Sequence, residues 1–288
     1  MVDREPETNP FALPGGEQPS ANRHAVNGCQ LYAELRGTGP AILIIGACSD
    51  DAEMFRSIAE RLTGFTVVTY DARGTLRSSR DGWPCGSAQH ADDAAELLRT
   101  LGLVRPRQGT DVFGASAGGI VALQLALRHP ELVRRVIAYE PGYLEQSESG
   151  RALSARSVES LDRHLASHPG DWTGAMAAVF AGLLDAPAGM EWYSRRGAAL
   201  AENFVRGDMP LTVETVDTAQ LARSDADIRF ACGSTSHRAF QEIVEELTRI
   251  RRRPGSTDPE RHDVIDGAGH VCYFTPEPVA SFIRLQFA

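Results

Sequence analysis

Short, mostly apolar runs alternate along the chain with stretches whose apolar residues return every three or four positions. The runs are Ala41–Ile45, Phe65–Tyr70, Asp111–Phe113, Val133–Tyr139 and Ile228–Cys232, as expected of strands covered on both faces. Ahead of them, Ala25–Leu35 reads as two strands about an Asn27-Gly28 turn. Between the runs lie helical faces. Met54, Phe55, Ile58, Ala59 and Leu62 form one, closed by Gly64; Ala91, Ala94, Leu98 and Leu101 form another, with Ser87 as its expected cap. A third helix, Ile120–Leu127, is nearly all apolar and ends at His129-Pro130. Phe240, Ile243, Val244, Leu247 and Ile250 mark a fourth, His262–Ile265 a last strand, and Thr275-Pro276 opens a final helix carrying Val279, Phe282, Ile283 and Phe287. Such alternation predicts an α/β protein with a mostly parallel, doubly wound sheet. It breaks from Tyr143 to about Ser224, where the pattern is helical throughout. The expected division is a flexible tail over 1–22, a core made of 23–141 and 226–288, and an inserted helical unit over 142–225.

Composition narrows the partners. A net charge of −9 leaves no basic excess to neutralise phosphates, which argues against nucleic acid. No apolar run reaches bilayer length and no secretory leader is visible, so no membrane is expected and the cytoplasm is the default location. Five cysteines without a CxxC pair suggest neither a disulfide framework nor a zinc site; no metal and no cofactor are expected. The natural partner is a small-molecule substrate. Oligomeric state is left open, a homodimer being one option.

The candidate chemistry centres on Gly114-Ala115-Ser116-Ala117-Gly118, placed between the apolar run that starts at Asp111 and the apolar helix after it. Gly-x-Ser-x-Gly alone arises by chance in any glycine-rich loop; between a buried strand and a buried helix it reads as a nucleophile elbow. The flanking glycines permit a tight turn that lifts the serine hydroxyl above the sheet, and the Ala117 N–H behind it is an expected oxyanion donor.

In the order of its parts, from about His24 to the end, the chain resembles the α/β-hydrolase fold superfamily, in its bacterial esterase, haloperoxidase-like and epoxide-hydrolase-like branch with a helical cap. The matching pieces are Gly114–Gly119, the Asp71-x-Arg73-Gly74 turn, His129-Pro130 and the late Gly267-x-Gly269-His270. The turn reads as one that buries a salt bridge. There are two departures. Gly46-Ala47 stands where the family usually has His-Gly, and the loop Gly233–His237 lacks the carboxylate usual there. The resemblance implies Ser116 as nucleophile and His270 as base. With the usual acid position empty, Glu140 at the end of the following strand is the candidate third member, as in relatives such as the haloalkane dehalogenases. The second oxyanion donor is expected from the loop after Ile45, Cys48 first and Ala47 second. Trp172, Phe180, Trp192 and Tyr193 are candidates for roofing a pocket, with His237 at its edge. The activity these residues imply is that of a cofactor-independent serine hydrolase of an ester, lactone or thioester. Two alternatives stay open: a non-hydrolytic enzyme of specialised metabolism (acyl transfer, cyclisation or isomerisation) and a catalytically silent ligand-binding relative.

Overall fold

The computed structural model describes residues 9–104, 109–181, 190–251 and 262–288. Eight strands form one sheet: β1 (Ser20–Val26), β2 (Cys29–Arg36), β3 (Ala41–Ile45), β4 (Thr66–Tyr70), β5 (Thr110–Ala115), β6 (Val133–Tyr139), β7 (Asp227–Gly233) and β8 (Asp263–Ile265), in the order β1-β2-β4-β3-β5-β6-β7-β8. The β1–β2 and β2–β4 pairs are antiparallel and the others parallel. The hairpin turns through Asn27 and Gly28, both at positive φ (44° and 75°), which suits the right-handed twist of its strands.

Alternate residues of a strand face opposite layers, and β3 shows why its whole run is apolar. Leu43 and Ile45 join the layer of α2 (Ser87–Thr100), α3 (Ala117–Arg128) and α10 (Arg238–Arg251). Ile42 and Ile44 join the layer of α1 (Arg56–Ala59) and α11 (Pro276–Phe287). Between β6 and β7 the described residues form helices: α4 (Glu148–Ser167), α5 (Trp172–Phe180), α6 (Met190–Ala198), α7 (Ala201–Asn203), a π-helical turn over Phe204–Asp208, α8 (Met209–Thr212) and α9 (Thr218–Arg223). This segment has an apolar cluster of its own, including Leu161, Met176, Val179 and Phe204. After β4 is laid on one side of β3, β5 is laid on the other, so the order of strand addition reverses there. The carboxyl ends of β3 and β5 open a crevice at this switch point, where ligands of open α/β sheets bind.

Three expectations need correction. Residues 9–19 are not a loose tail: Asn9 Nδ2 donates to the Glu53 carbonyl (2.9 Å), the Leu13 N–H to Glu60 (2.7 Å), and Arg36 reaches back to the Glu17 carbonyl (2.7 Å). β1 itself begins at Ser20, inside the stretch expected to be tail. The partners are side chains and carbonyls far along the chain, which local composition does not reveal. Ser87 is the first residue of α2 rather than its cap; its N–H and hydroxyl both donate to Glu214, whose charge suits a helix N-terminus. Of the helix expected around Met54–Leu62 only α1 is regular, although all five apolar residues are buried.

Candidate active site

At the end of β5 the chain turns through Ser116 at φ 55° and ψ −123°, a conformation costly for a residue with a Cβ. The flanking glycines make the turn possible. A Cβ on Gly114 would stand 2.3 Å from the Gly118 carbonyl oxygen, and one on Gly118 would stand 2.1 Å from that of Ile45. The Ser116 N–H donates to the Tyr139 carbonyl (3.0 Å), which fastens the elbow to the end of β6.

The next residue after β6, Glu140, is fully buried and also left-handed, at φ 45°. Its N–H donates to the Ala231 carbonyl (2.8 Å). One carboxylate oxygen accepts from the Gly233 N–H (2.7 Å) and from the Ser236 hydroxyl. The loop that usually carries the acid therefore holds the acid supplied from the neighbouring strand. The other oxygen lies 2.7 Å from His270 Nδ1, and His270 Nε2 lies 3.1 Å from Ser116 Oγ. An ionised carboxylate only accepts, so Nδ1 carries the proton and Nε2 presents its lone pair to the serine. Ser116, His270 and Glu140 thus form one hydrogen-bonded line, able to take a proton from a hydroxyl and return it to a leaving group.

The loop carrying His270 is fixed from β6 and β7. Tyr139 donates its hydroxyl to the Gly269 carbonyl (2.7 Å), and both the N–H and the hydroxyl of Thr235 donate to Ala268 (3.0 and 2.9 Å). Phe240 of α10 stacks on the imidazole, ring centroids 3.8 Å apart and planes within 11°. The apolar period of that helix marks Phe240 as inward-facing but carries no sign of a histidine partner.

The expected oxyanion donors lie at the crevice, but only partly as anticipated. Ala117 opens α3 and lines the cavity beside Ser116. The Cys48 N–H already donates to Asp208 Oδ1 (2.6 Å) and the Ser49 N–H to Asp208 Oδ2 (2.9 Å). The Ala47 N–H donates to Asp50 Oδ2 (3.0 Å), and the other oxygen of that carboxyl accepts from the Tyr273 hydroxyl (3.0 Å). Burial pushes the Asp208 carboxyl up to about 6 and that of Asp50 up to about 7, while their hydrogen bonds hold both back. Asp208 stands 160 positions from Cys48, with no motif around it to announce the contact.

The cavity encloses about 80 Å³; Ser116 and His270 share it with Leu144, Leu153, Val179, Phe180, Phe204 and Met209. Among the described residues, Phe180 is the one expected roof residue that reaches it. Trp172 packs within the helical segment's own cluster. Trp192 is buried in the layer of α1 and α11, edge-on to Phe11 at 6.4 Å. His237 Nδ1 accepts the Ala239 N–H (3.1 Å) at the start of α10, and the residue is not among those lining the cavity. The side chain of Tyr193 lies outside the described residues. Aromatic content alone does not say which face of a helix meets a pocket.

Asp71 and Arg73 form two bridges rather than one. Asp71 pairs with Arg77 (2.7 Å), and Arg73 with Asp93 (2.7 Å). Among the described residues no group of three His, Cys, Asp or Glu side chains is placed to hold a metal ion, and no helix is long and apolar enough to cross a membrane.

A mostly parallel sheet with a serine elbow at its switch point, a late histidine and a buried acid is the arrangement of an α/β hydrolase. The chain belongs to the α/β hydrolase fold family, whose model matches residues 40–274. It is 37% identical over 125 residues to an uncharacterized hydrolase, YraK, of Bacillus subtilis (strain 168), covering 42% of this chain and 44% of that protein. It is 37% identical over 102 residues to a putative carbamate hydrolase, RutD, of Rhizobium rhizogenes, covering 35% of this chain and 37% of that one. The chain thus spans less than half the length of these relatives. Among solved structures, an α/β hydrolase from Sphaerobacter thermophilus superposes with a TM-score of 0.70 at 21% identity, covering 93% of this chain and 100% of that one. A thermophilic esterase from Thermogutta terrifontis gives 0.70 at 21% identity, covering 94% and 98%. Both share the fold.

Proposed function

We propose that this protein is a cofactor-independent serine hydrolase that cleaves an ester, lactone, thioester or related carbonyl compound through an acyl-enzyme on Ser116. The observation that carries this reading is the continuous line from Ser116 Oγ through His270 to the buried Glu140 carboxylate. Ser116 Oγ attacks the carbonyl carbon while His270 Nε2 takes the hydroxyl proton, and Glu140 stabilises the imidazolium that forms. His270 then returns the proton to the leaving group. Water, deprotonated by the same nitrogen, releases the acid in a second half-reaction. The Ala117 N–H, at the positive end of α3, faces the developing oxyanion. A carbamate, which the name of the Rhizobium relative mentions, offers the same kind of carbonyl.

On this reading the substrate is a small molecule, the location is the cytoplasm, and the helical segment from 142 to 225 is a cap. The small apolar cavity suits a short acyl group. Labelling by a fluorophosphonate, lost in Ser116→Ala, and hydrolysis of a 4-nitrophenyl ester series test the proposal together. No label and no hydrolysis would sink it.

The cap makes a separate prediction. Phe180 contacts Phe204 at 4.7 Å between ring centroids, and both line the cavity. Phe180→Ala is expected to shift the preferred acyl chain to longer members of the series, because remote contacts select a substrate more than they break its bond. Trp192→Ala, in contrast, is expected to lower stability by about 3–5 kcal/mol and leave the order of substrates unchanged. The chain-length profile and the melting temperature separate the two. A uniform fall across the series for Phe180→Ala would show that Phe180 only packs.

A further inference from the structure

The loop after β3 has spent its amides. Ala47, Cys48 and Ser49 all donate to carboxyl groups, although a main-chain N–H of this loop is where the family resemblance puts the second oxyanion donor. Building on the serine-hydrolase reading, we propose that Asp208 itself supplies this second hydrogen bond, donating its carboxyl O–H to the substrate carbonyl oxygen.

Its position supports the role. Asp208 lines the same cavity as Ser116, Ala117 and His270, yet its side chain is almost wholly buried. It ends the π-helical turn Phe204–Asp208, and such turns occur frequently at functional sites. Gly207 lets the turn approach closely, since a Cβ there would stand 2.8 Å from the Cys48 Cβ. The carboxyl is thus laid against the loop across two adjacent amides, with the Ser49 hydroxyl and the Cys48 thiol also bonded to it, and it borders the cavity.

The surroundings favour the acid form once an oxyanion develops. The groups facing Asp208 are the Cys48 thiol and Asp50 on the loop, His90 behind Cys48 (Nε2 to Sγ 3.5 Å) and His270 across the cavity. Arg206 on its own turn is engaged with Glu202 at the surface, and among the described residues no ion pair reaches Asp208. Ionised, Asp208 would repel the negative oxygen of the tetrahedral intermediate. It has two ways out. Swinging away would strip the Cys48 and Ser49 hydrogen bonds from a charged group in a mostly apolar cavity. Protonation in place, for a carboxyl pushed up to about 6, costs only about tenfold in population at neutral pH. Protonation is the easier course. The neutral acid can still accept from the Cys48 and Ser49 amides while turning its one O–H into the cavity. Carboxylic acids kept neutral by an apolar site are able to act as oxyanion donors.

The test is kcat/KM for 4-nitrophenyl acetate from about pH 5 to 9 in wild type, Asp208→Asn and Asp208→Ala, with fluorophosphonate labelling alongside. In wild type the acid is lost as pH rises, so the rate should fall by up to tenfold per unit above about pH 6. Asp208→Asn keeps a donor that does not titrate; it should lose this fall and stay within about tenfold of wild type at pH 6. Asp208→Ala should lose about 100- to 1,000-fold in kcat. An Asp208→Ala enzyme as fast as wild type, or faster, would show that the freed amides serve instead and would overturn the proposal. So would an identical pH profile for wild type and Asp208→Asn, a comparison that stands even if Asp208→Ala does not fold. A protein that is neither labelled nor active would bring down the serine-hydrolase reading with it; a labelled, active protein indifferent to Asp208 would bring down this proposal alone.

Discussion

Ser116→Ala is expected to remove turnover by about a million-fold while leaving the fold intact. On the proposed mechanism its hydroxyl forms the covalent bond, and no neighbouring group can take its place. Structurally the hydroxyl contributes little: it sits at the mouth of the crevice, half-buried, and its partner is His270. Alanine at φ 55° carries the same backbone strain as serine, so stability should change by no more than about 0.5 kcal/mol. Ester hydrolysis measured beside thermal melting checks both halves. A variant that hydrolyses at the wild-type rate would place the reaction elsewhere in the molecule.

Glu140→Gln is expected to cost about ten-thousand-fold in kcat. Glu140 uses one oxygen for Gly233 and Ser236 and the other for His270. A glutamine would keep its carbonyl oxygen toward the two donors and turn its NH₂ to His270 Nδ1. The imidazole then has to accept at Nδ1, which puts the proton on Nε2, facing Ser116, and leaves no base for attack. The alternative amide orientation aims an NH₂ at a main-chain N–H inside a buried pocket. Most of the rate surviving in Glu140→Gln would reduce the machinery to a Ser116–His270 pair.

The strands and the elbow are legible in the sequence because their signals are local. Ile42 to Ile45 are apolar in succession because each faces a covered layer, and Gly114 and Gly118 flank Ser116 because their Cβ positions are taken. Glu140 is reached through an absence in the Gly233–His237 loop, and the structure sets its carboxylate against His270. The hidden parts depend on contacts between distant segments. Asp208 meets Cys48 across 160 positions, and Phe11 meets Trp192 from a far part of the chain. The chemistry of Trp172, Trp192 and His237 suggests the pocket. Trp172 and Trp192 face elsewhere, because the facing of helices in the inserted segment depends on how that segment seats on the sheet; His237 lies outside that segment and bonds the start of α10 instead.

Bringing the carboxylate from β6 has a consequence for how the site assembles. His270 must come in from 154 positions beyond Ser116. Ser116 and Glu140, however, flank a single helix–strand segment, α3 and β6, and the Ser116 N–H bond to the Tyr139 carbonyl ties its ends together. An acid on the loop after β7 would lie more than two doublings of chain separation farther from the serine, at a closure entropy of roughly 1.3 kcal/mol. Two of the three groups are therefore joined by contacts of low sequence separation. The helical segment enters only after Glu140, so it can be lengthened, shortened or exchanged without coming between the serine and its carboxylate.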